Sequence, residues 1–264
     1  MTKSRARNHA NSQQRGKSAP KRHRGAKPAG SAGSGWLWGQ HAVAAALANP
    51  RRHLKRLVAS RAAASKLGPV GKKAEDLSPG EIGDLLPPGA VHQGIAAQFE
   101  PLADIAIEDL IAAGIQRLAV LDQVSDPHNL GAIFRSAAAF GFGGLVLQTR
   151  NAPPITGIVA KSAAGAIETV PECRVVNIAR ALETLNEAGY HTIGLAGSGR
   201  ANIRQALSGV TKLAIVLGAE GPGLRPGVAK ACAELAHIPI DPAMESLNVS
   251  NAAAITFYEA SETR

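Results

Sequence analysis

The sequence predicts an α/β fold built on a mostly parallel sheet with helices on both faces. Three observations carry that prediction. From Leu118 onward, short continuous apolar runs alternate with helical stretches. The runs lack the in–out alternation of a half-exposed sheet, so both of their faces are expected to be covered. The turns that follow several of them are rich in Gly, Asp and Asn, which suits strands handing over to helices and ligand-collecting loops at the strand ends.

At 264 residues, 45% of them hydrophobic, the chain is long enough for one large or two modest cores. No apolar run approaches the ~18 residues of a membrane span, and the basic N-terminus has no hydrophobic stretch of the secretory kind. The expectation is a cytoplasmic protein, with organelle targeting by the acid-free arm left open. Cys173 and Cys232 support neither a disulfide framework nor a cysteine metal site. The net charge of +9 is segregated: residues 1–74 hold 17 of the 29 Lys and Arg and no Asp or Glu, leaving 12 basic against 20 acidic residues, a net of −8, in the rest. Positive charge gathered at one end predicts a polyanion partner; a solubilising tail is the alternative.

Taken in order, residues 1–35 read as a disordered basic arm, with Lys and Arg scattered among Ser, Gln, Asn, Gly and Ala and too little apolar surface to order the segment. Residues 36–100 form a small α/β unit. Trp36–Leu47 runs from a short strand or turn into a helix ended by Asn49-Pro50. A strand at Leu54–Ala59, helices at Ala62–Leu67 and Asp76–Leu86, and a strand at Val91–Phe99 complete it. Arg51, Arg52, Lys55, Arg56 and Arg61 gather there, either to hold nucleic acid or as a solvated face. Residues 101–116 are a linker with a helical stretch. The βα series over 117–264 has strands at Leu118–Leu121, Gly144–Gln148, His191–Ala196 and Lys212–Leu217, with helices at Asn129–Phe140, Ile155–Ile167, Val175–Ala188 and Pro222–Leu235. A last strand, Ile238–Ile240, leads into an Ala-rich helix from Val249 that Ser246 or Asn248 is placed to cap.

The strand-end loops hold the chemistry. In the first, Asn129 and Gly131 open a helix and Arg135 follows on its second turn; it either reaches a phosphate or carboxylate or forms a surface ion pair. The second, Ala196-Gly197-Ser198-Gly199, begins like a dinucleotide fingerprint, but Asn202 stands in the third Gly position, which disfavours a nucleotide-dependent oxidoreductase. The third, Leu217-Gly218-Ala219-Glu220-Gly221-Pro222-Gly223, permits close approach of backbone to a ligand or serves as a structural turn. There is no Gly-x-x-x-x-Gly-Lys-Ser/Thr run and no His pair at metal-ligand spacing, which argues against an ATPase and a zinc hydrolase.

Together with Ser246-Leu247-Asn248-Val249-Ser250, the Arg135 and Glu220 loops resemble the three signature motifs of the SpoU (TrmH-type) RNA 2′-O-ribose methyltransferases, over Arg117–Arg264. The first motif matches at Asn129, Gly131, Ile133 and Arg135. Through Gly39, His41, Val43 and Gly94, residues 36–100 resemble the small L30e-like RNA-binding domain that many members carry. The resemblance implies a trefoil knot in the catalytic sheet and a homodimer whose active site is completed across the interface. It implies S-adenosylmethionine bound at Ala196, Gly197, Leu217, Gly218, Ile238, Leu247 and Asn248, with no metal. Arg135 is implied as the central catalytic residue, with Asn129, Glu220, Ser246 and Asn248 around it. Members with this layout mostly methylate large-subunit ribosomal RNA, often at a guanosine; tRNA is the alternative substrate, and a catalytically silent knotted RNA-binding protein the alternative role.

Overall fold

The computed structural model describes residues 35–262; the basic arm, Gly35 aside, lies outside the described residues. In chain order the elements begin with β1 (Trp36–Trp38), α1 (Gln40–Ala48), β2 (Leu54–Ala59), α2 (Arg61–Ala64), β3 (Glu75–Asp76), α3 (Pro79–Asp84) and β4 (Ile95–Phe99). They continue with α4 (Ile107–Ala112), β5 (Arg117–Leu121), α5 (Pro127–Ala139), β6 (Gly144–Gln148), α6 (Gly157–Ala163), β7 (Glu172–Val175), α7 (Ile178–Glu187) and β8 (His191–Leu195). The last are β9 (Ala201–Asn202), α8 (Ile203–Ala206), β10 (Leu213–Leu217), α9 (Pro226–Ala231), β11 (Glu234–His237) and α10 (Val249–Glu262).

The first four strands form one sheet in the order β1-β4-β2-β3, and the other seven form a second in the order β7-β6-β5-β10-β8-β11-β9. Every pairing in the second sheet is parallel. Strands β6 and β10 are buried along their whole length, and β5 beyond Arg117, because alternate side chains enter different cores. Ala119, Leu121, Leu145, Leu147, Ile215 and Leu217 join the cluster of Phe134, Val159 and Phe257 on α5, α6 and α10. Leu118, Val120, Val146, Ala214 and Val216 join that of Leu110, Leu182, Leu185 and Val228 on α4, α7 and α9. Continuous apolar runs thus mean helices on both faces, as the sequence predicted.

Several boundaries differ from expectation. Residues 172–175 are the edge strand β7, and helix α7 begins only at Ile178, where the Asn177 side chain accepts from Arg180 N at 3.3 Å. The helix expected over Pro222–Leu235 is confined to Pro226–Ala231, and the last strand is Glu234–His237 instead of Ile238–Ile240. Pro239 has no N–H to give a ladder, and Ile240 is exposed. Residues 75–76 pair as a strand, so the helix expected from Asp76 starts at Pro79.

The two sheets share one core: Leu37, Val43, Leu57 and Phe99 cluster with Phe134, Val159 and Ile167. Gly157 makes room for Trp38, whose Cζ3 would lie 2.0 Å from any added Cβ. Nearby, Glu168 is buried and takes the guanidinium of Arg52 at 2.9 Å and Asn49 Nδ2 at 2.6 Å, while its carbonyl accepts from Arg51 at 3.0 Å. Such a pair is costly to bury, and costlier still to break from one side.

Candidate functional site

The sheet order reverses at β5. Strands β6 and β7 lie on one side of it, and β10 and β8 on the other. Loops leaving the C-terminal ends of β5 and β10 therefore diverge, and a crevice for ligands is expected there. The first of these loops ends at Asp126, whose side chain caps α5 by accepting from His128 N at 2.9 Å, with Pro127 in the first turn. This sets Asn129 in the opening turn of α5, where it is buried.

Asn129 Nδ2 donates to Glu220 Oε1 at 2.7 Å. Asn248 Nδ2 donates to the same oxygen at 2.8 Å and to Asn129 Oδ1 at 3.1 Å. Asn248 Oδ1 meanwhile accepts from Ser250 N at 2.9 Å, Ser250 Oγ at 2.6 Å and Asn251 N at 3.4 Å. One side chain thus caps α10 and clamps the carboxylate of the glycine loop. Glu220 Oε2 has no hydrogen-bond partner among the described residues, so it is available to an incoming donor.

The other expected residues lie outside this network. Arg135 is exposed on α5, and its side chain forms no ion pair or hydrogen bond with a described residue, so the ion-pair alternative finds no partner there. Six residues beyond Asn129, it lies about 9 Å further along the helix and roughly 120° round it. Ser246 is exposed without a hydroxyl partner among the described residues, and Asn248, not Ser246, is the cap.

The positions implied for the cofactor lie around the same strand ends. Leu217 closes β10 and Gly218 follows it; Ala196 and Gly197 follow β8; Ile238 follows β11. Ala196 N is used by Ala236 O at 3.0 Å, whereas the N–H groups of Gly197, Gly218, Ile238 and Leu247 donate to no described residue. Space is open beside Gly197, while a Cβ on Gly218 would lie 2.2 Å from the Gly223 carbonyl carbon. Free donors on a loop that admits close approach suit a ligand held largely through backbone. Gly199 leads not into a long helix but into the short β9, and Asn202 caps the four-residue α8, which is not a dinucleotide-binding turn. Among the described residues no three His, Cys, Asp or Glu side chains gather as metal ligands. A separate cavity of about 890 Å³ lies between the two sheets, lined by Trp38, Leu102, Phe134, Ile155 and Arg174; Arg51 and Arg52 also line it, but none of the residues expected for catalysis or the cofactor does.

Sequence reasoning missed Asp122 and Arg225. Asp122 is fully buried, and its carboxylate accepts from Arg225 N at 3.0 Å and Nε at 2.8 Å, with Nη2 in ion-pair contact at 2.6 Å. The available signal was a carboxylate ending an apolar strand, paired with a basic residue just past the glycine loop.

The profile of the SpoU rRNA Methylase family matches residues 116–258. The chain belongs to that family. It is 38% identical over 242 residues to the 23S rRNA (guanosine-2′-O-)-methyltransferase RlmB of Vibrio vulnificus, covering 87% of this chain and 97% of that one. It is also 38% identical to the uncharacterized tRNA/rRNA methyltransferase slr0955 of Synechocystis, covering 84% of this chain but only 61% of that protein. Among solved structures, this SpoU family member resembles a putative RNA methyltransferase of the TrmH family from Porphyromonas gingivalis, with a TM-score of 0.69 at 25% identity over 85% of this chain and 88% of that one. The SpoU methyltransferase AviRb of Streptomyces viridochromogenes, solved with AdoMet, shares the fold, with a TM-score of 0.73 at 22% identity over 86% of this chain and 89% of that one.

Proposed function

We propose that this protein methylates the ribose 2′-hydroxyl of a guanosine in large-subunit ribosomal RNA, with S-adenosylmethionine as donor. The observation that carries the reading is the Glu220 clamp: side chains from the first turn of α5, the glycine loop and the cap of α10 meet beside the sheet's reversal point, and one carboxylate oxygen is left for a substrate. The RlmB relatives, matched over nearly their whole length, support the ribosomal substrate. The AdoMet-bound relative and the free backbone donors support the cofactor.

When bound, S-adenosylmethionine supplies an activated methyl group. The chain's task is to hold the ribose oxygen in line and take up its proton. Glu220 Oε2 accepts from the ribose hydroxyl while Asn129 and Asn248 hold Oε1. Ser246 adds a hydroxyl beside the sugar. Arg135 binds the neighbouring phosphate and stabilises the developing alkoxide; a guanidinium resists deprotonation and is poorly suited to be the base. Leu217, Gly218, Ile238 and Leu247 hold the adenosyl part through backbone groups.

Residues 36–100 act in this reading as the RNA-gripping domain and 101–116 as its linker. The path of the chain supports a trefoil knot: it leaves β10 in mid-sheet, forms β11 beyond β8, and returns through residues 238–248 to lay α10 against α5. Ile255 and Tyr258, exposed on α10, support a homodimer through that helix. Work on ribosomal RNA fits a cytoplasmic protein, and no described helix is long and apolar enough to cross a membrane. The test is incubation of the purified protein with methyl-labelled S-adenosylmethionine and ribosomal RNA, followed by digestion to nucleosides. Label is expected in 2′-O-methylguanosine; label confined to tRNA, or to a methylated base, contradicts the reading.

A further inference from the structure

The loop that carries Glu220 is held at both ends by one residue. Asp122 N donates to Leu217 O at 2.8 Å, where the loop begins. Its carboxylate takes the backbone N–H and the guanidinium of Arg225, where the loop ends. Between these points the loop closes on itself, with Ala219 N to Gly223 O at 3.2 Å and Gly223 N to Ala219 O at 3.0 Å. Gly218 backs against Gly223 so closely that no side chain fits. Glu220 is thus the tip of a small ring whose base is tied to β5.

We infer that Asp122 is a positioning residue for methyl transfer: through Arg225 it fixes the loop that presents Glu220 to the ribose and the Leu217–Gly218 backbone to the cofactor. The inference rests on the functional reading above, because it takes that loop as part of the S-adenosylmethionine cradle. Stability alone does not account for the pair. The neighbouring ends of β5 and β10 are already buried and apolar at Leu121, Val216 and Leu217. An ion pair with only its carboxylate buried, the Arg225 side chain being partly exposed, is on balance weak support for a fold that apolar contacts already hold. What it supplies is direction, since one carboxylate oxygen takes the guanidinium Nε and the other the backbone N–H of the same residue, which together accept one geometry. The next residue, Gln123, is held at φ 63, in a region that a non-glycine residue seldom adopts, so the turn after Asp122 is specified as closely as the loop it grips.

The test is steady-state kinetics with calorimetric binding of S-adenosylmethionine on the full chain, its Asp122→Asn variant, and the Asp122→Asn/Arg225→Gln double variant. Asp122→Asn keeps shape but loses charge and is expected to raise KM for S-adenosylmethionine about tenfold, or about 1.4 kcal/mol. The double variant restores a neutral amide pair and is expected to recover most of that loss. A purely stabilising role would lower the melting temperature and the active fraction while leaving KM within about twofold of wild type; that result overturns the assignment. Should Asp122→Asn fail to fold, Arg225→Lys keeps the charge and the backbone N–H but loses the directed Nε donor, and carries the same prediction. Wild-type protein that binds no S-adenosylmethionine overturns the functional reading itself; wild type that binds it, beside variants with unchanged KM, overturns the positioning role alone.

Discussion

Replacing Asn248 with Asp separates the two tasks of that side chain. Asp caps helices as well as Asn does, so acceptance from Ser250 N and Asn251 N, at 2.9 and 3.4 Å, survives. What changes is Nδ2, the donor to Glu220 at 2.8 Å and to Asn129 at 3.1 Å. Losing a hydrogen bond to a charged group costs about 1.5–3 kcal/mol. Two carboxylates about 4 Å apart add repulsion of about 1 kcal/mol in water and about 4 kcal/mol at an effective dielectric of about 20. Both residues are exposed, so the lower figure applies. Together this is about 3 kcal/mol against the working arrangement, or roughly a hundredfold in kcat. Glu220 lies on an exposed loop tip and relieves the clash by swinging away, so the melting temperature should fall by no more than about 4 °C. Like-charge contact raises one carboxylate's pKa. Acid therefore returns a shared proton, and the variant's activity relative to wild type should rise as pH falls. The assay is methyl transfer from labelled S-adenosylmethionine beside a thermal melt. A kcat within about threefold of wild type, in a folded variant, refutes the clamp as a working unit.

Other expectations concern the frame. Glu168→Ala strands a buried guanidinium whose side chain is 8% exposed, and should cost about 3–5 kcal/mol, read as a melting temperature lower by about 10 °C. Gly157→Ala drives a methyl group into Trp38, whose Cζ3 lies 2.0 Å from the added Cβ; overpacking of about 1–3 kcal/mol should appear in denaturant melts and in Trp fluorescence. Burial pushes the Cys173 thiol up to about 11 and Cys232 to about 12, with nearby carboxylates adding to both. Raised thiol values mean protonated sulfur at neutral pH, so iodoacetamide should label neither cysteine in native protein at about pH 8 and both after unfolding. The stability these thiols lend is present below their unfolded-state value and is lost as pH rises beyond it.

Strands β5, β6, β8 and β10 were legible because burial on both faces leaves an apolar run that nothing else explains. Strand β7, Glu-Cys-Arg-Val, was not: it lies at the sheet edge, half polar, and merges in sequence with the helix that Asn177 starts. The apolar Ile238-Pro239-Ile240 looked like a strand, yet the pairing residues are Glu234–His237, whose polar ends hide them. The site's residues were legible through their motifs, but their meeting was not, since Asn129 lies 91 positions from Glu220 and 119 from Asn248. Spacing alone did not choose between Ser246 and Asn248 as the cap. Only the helix start at Val249 does that, and the choice decides which side chain reaches Glu220.

The central claim is that this chain methylates ribose in ribosomal RNA through the site on α5 and the glycine loop. The most direct measurement maps 2′-O-methyl positions in the rRNA and tRNA of a strain deleted for the gene. The account predicts that one methyl on large-subunit rRNA is lost, and that a wild-type copy restores it while an Arg135→Ala copy, folded and still binding S-adenosylmethionine, does not. An unchanged rRNA map, or full restoration by the Arg135→Ala copy, contradicts it.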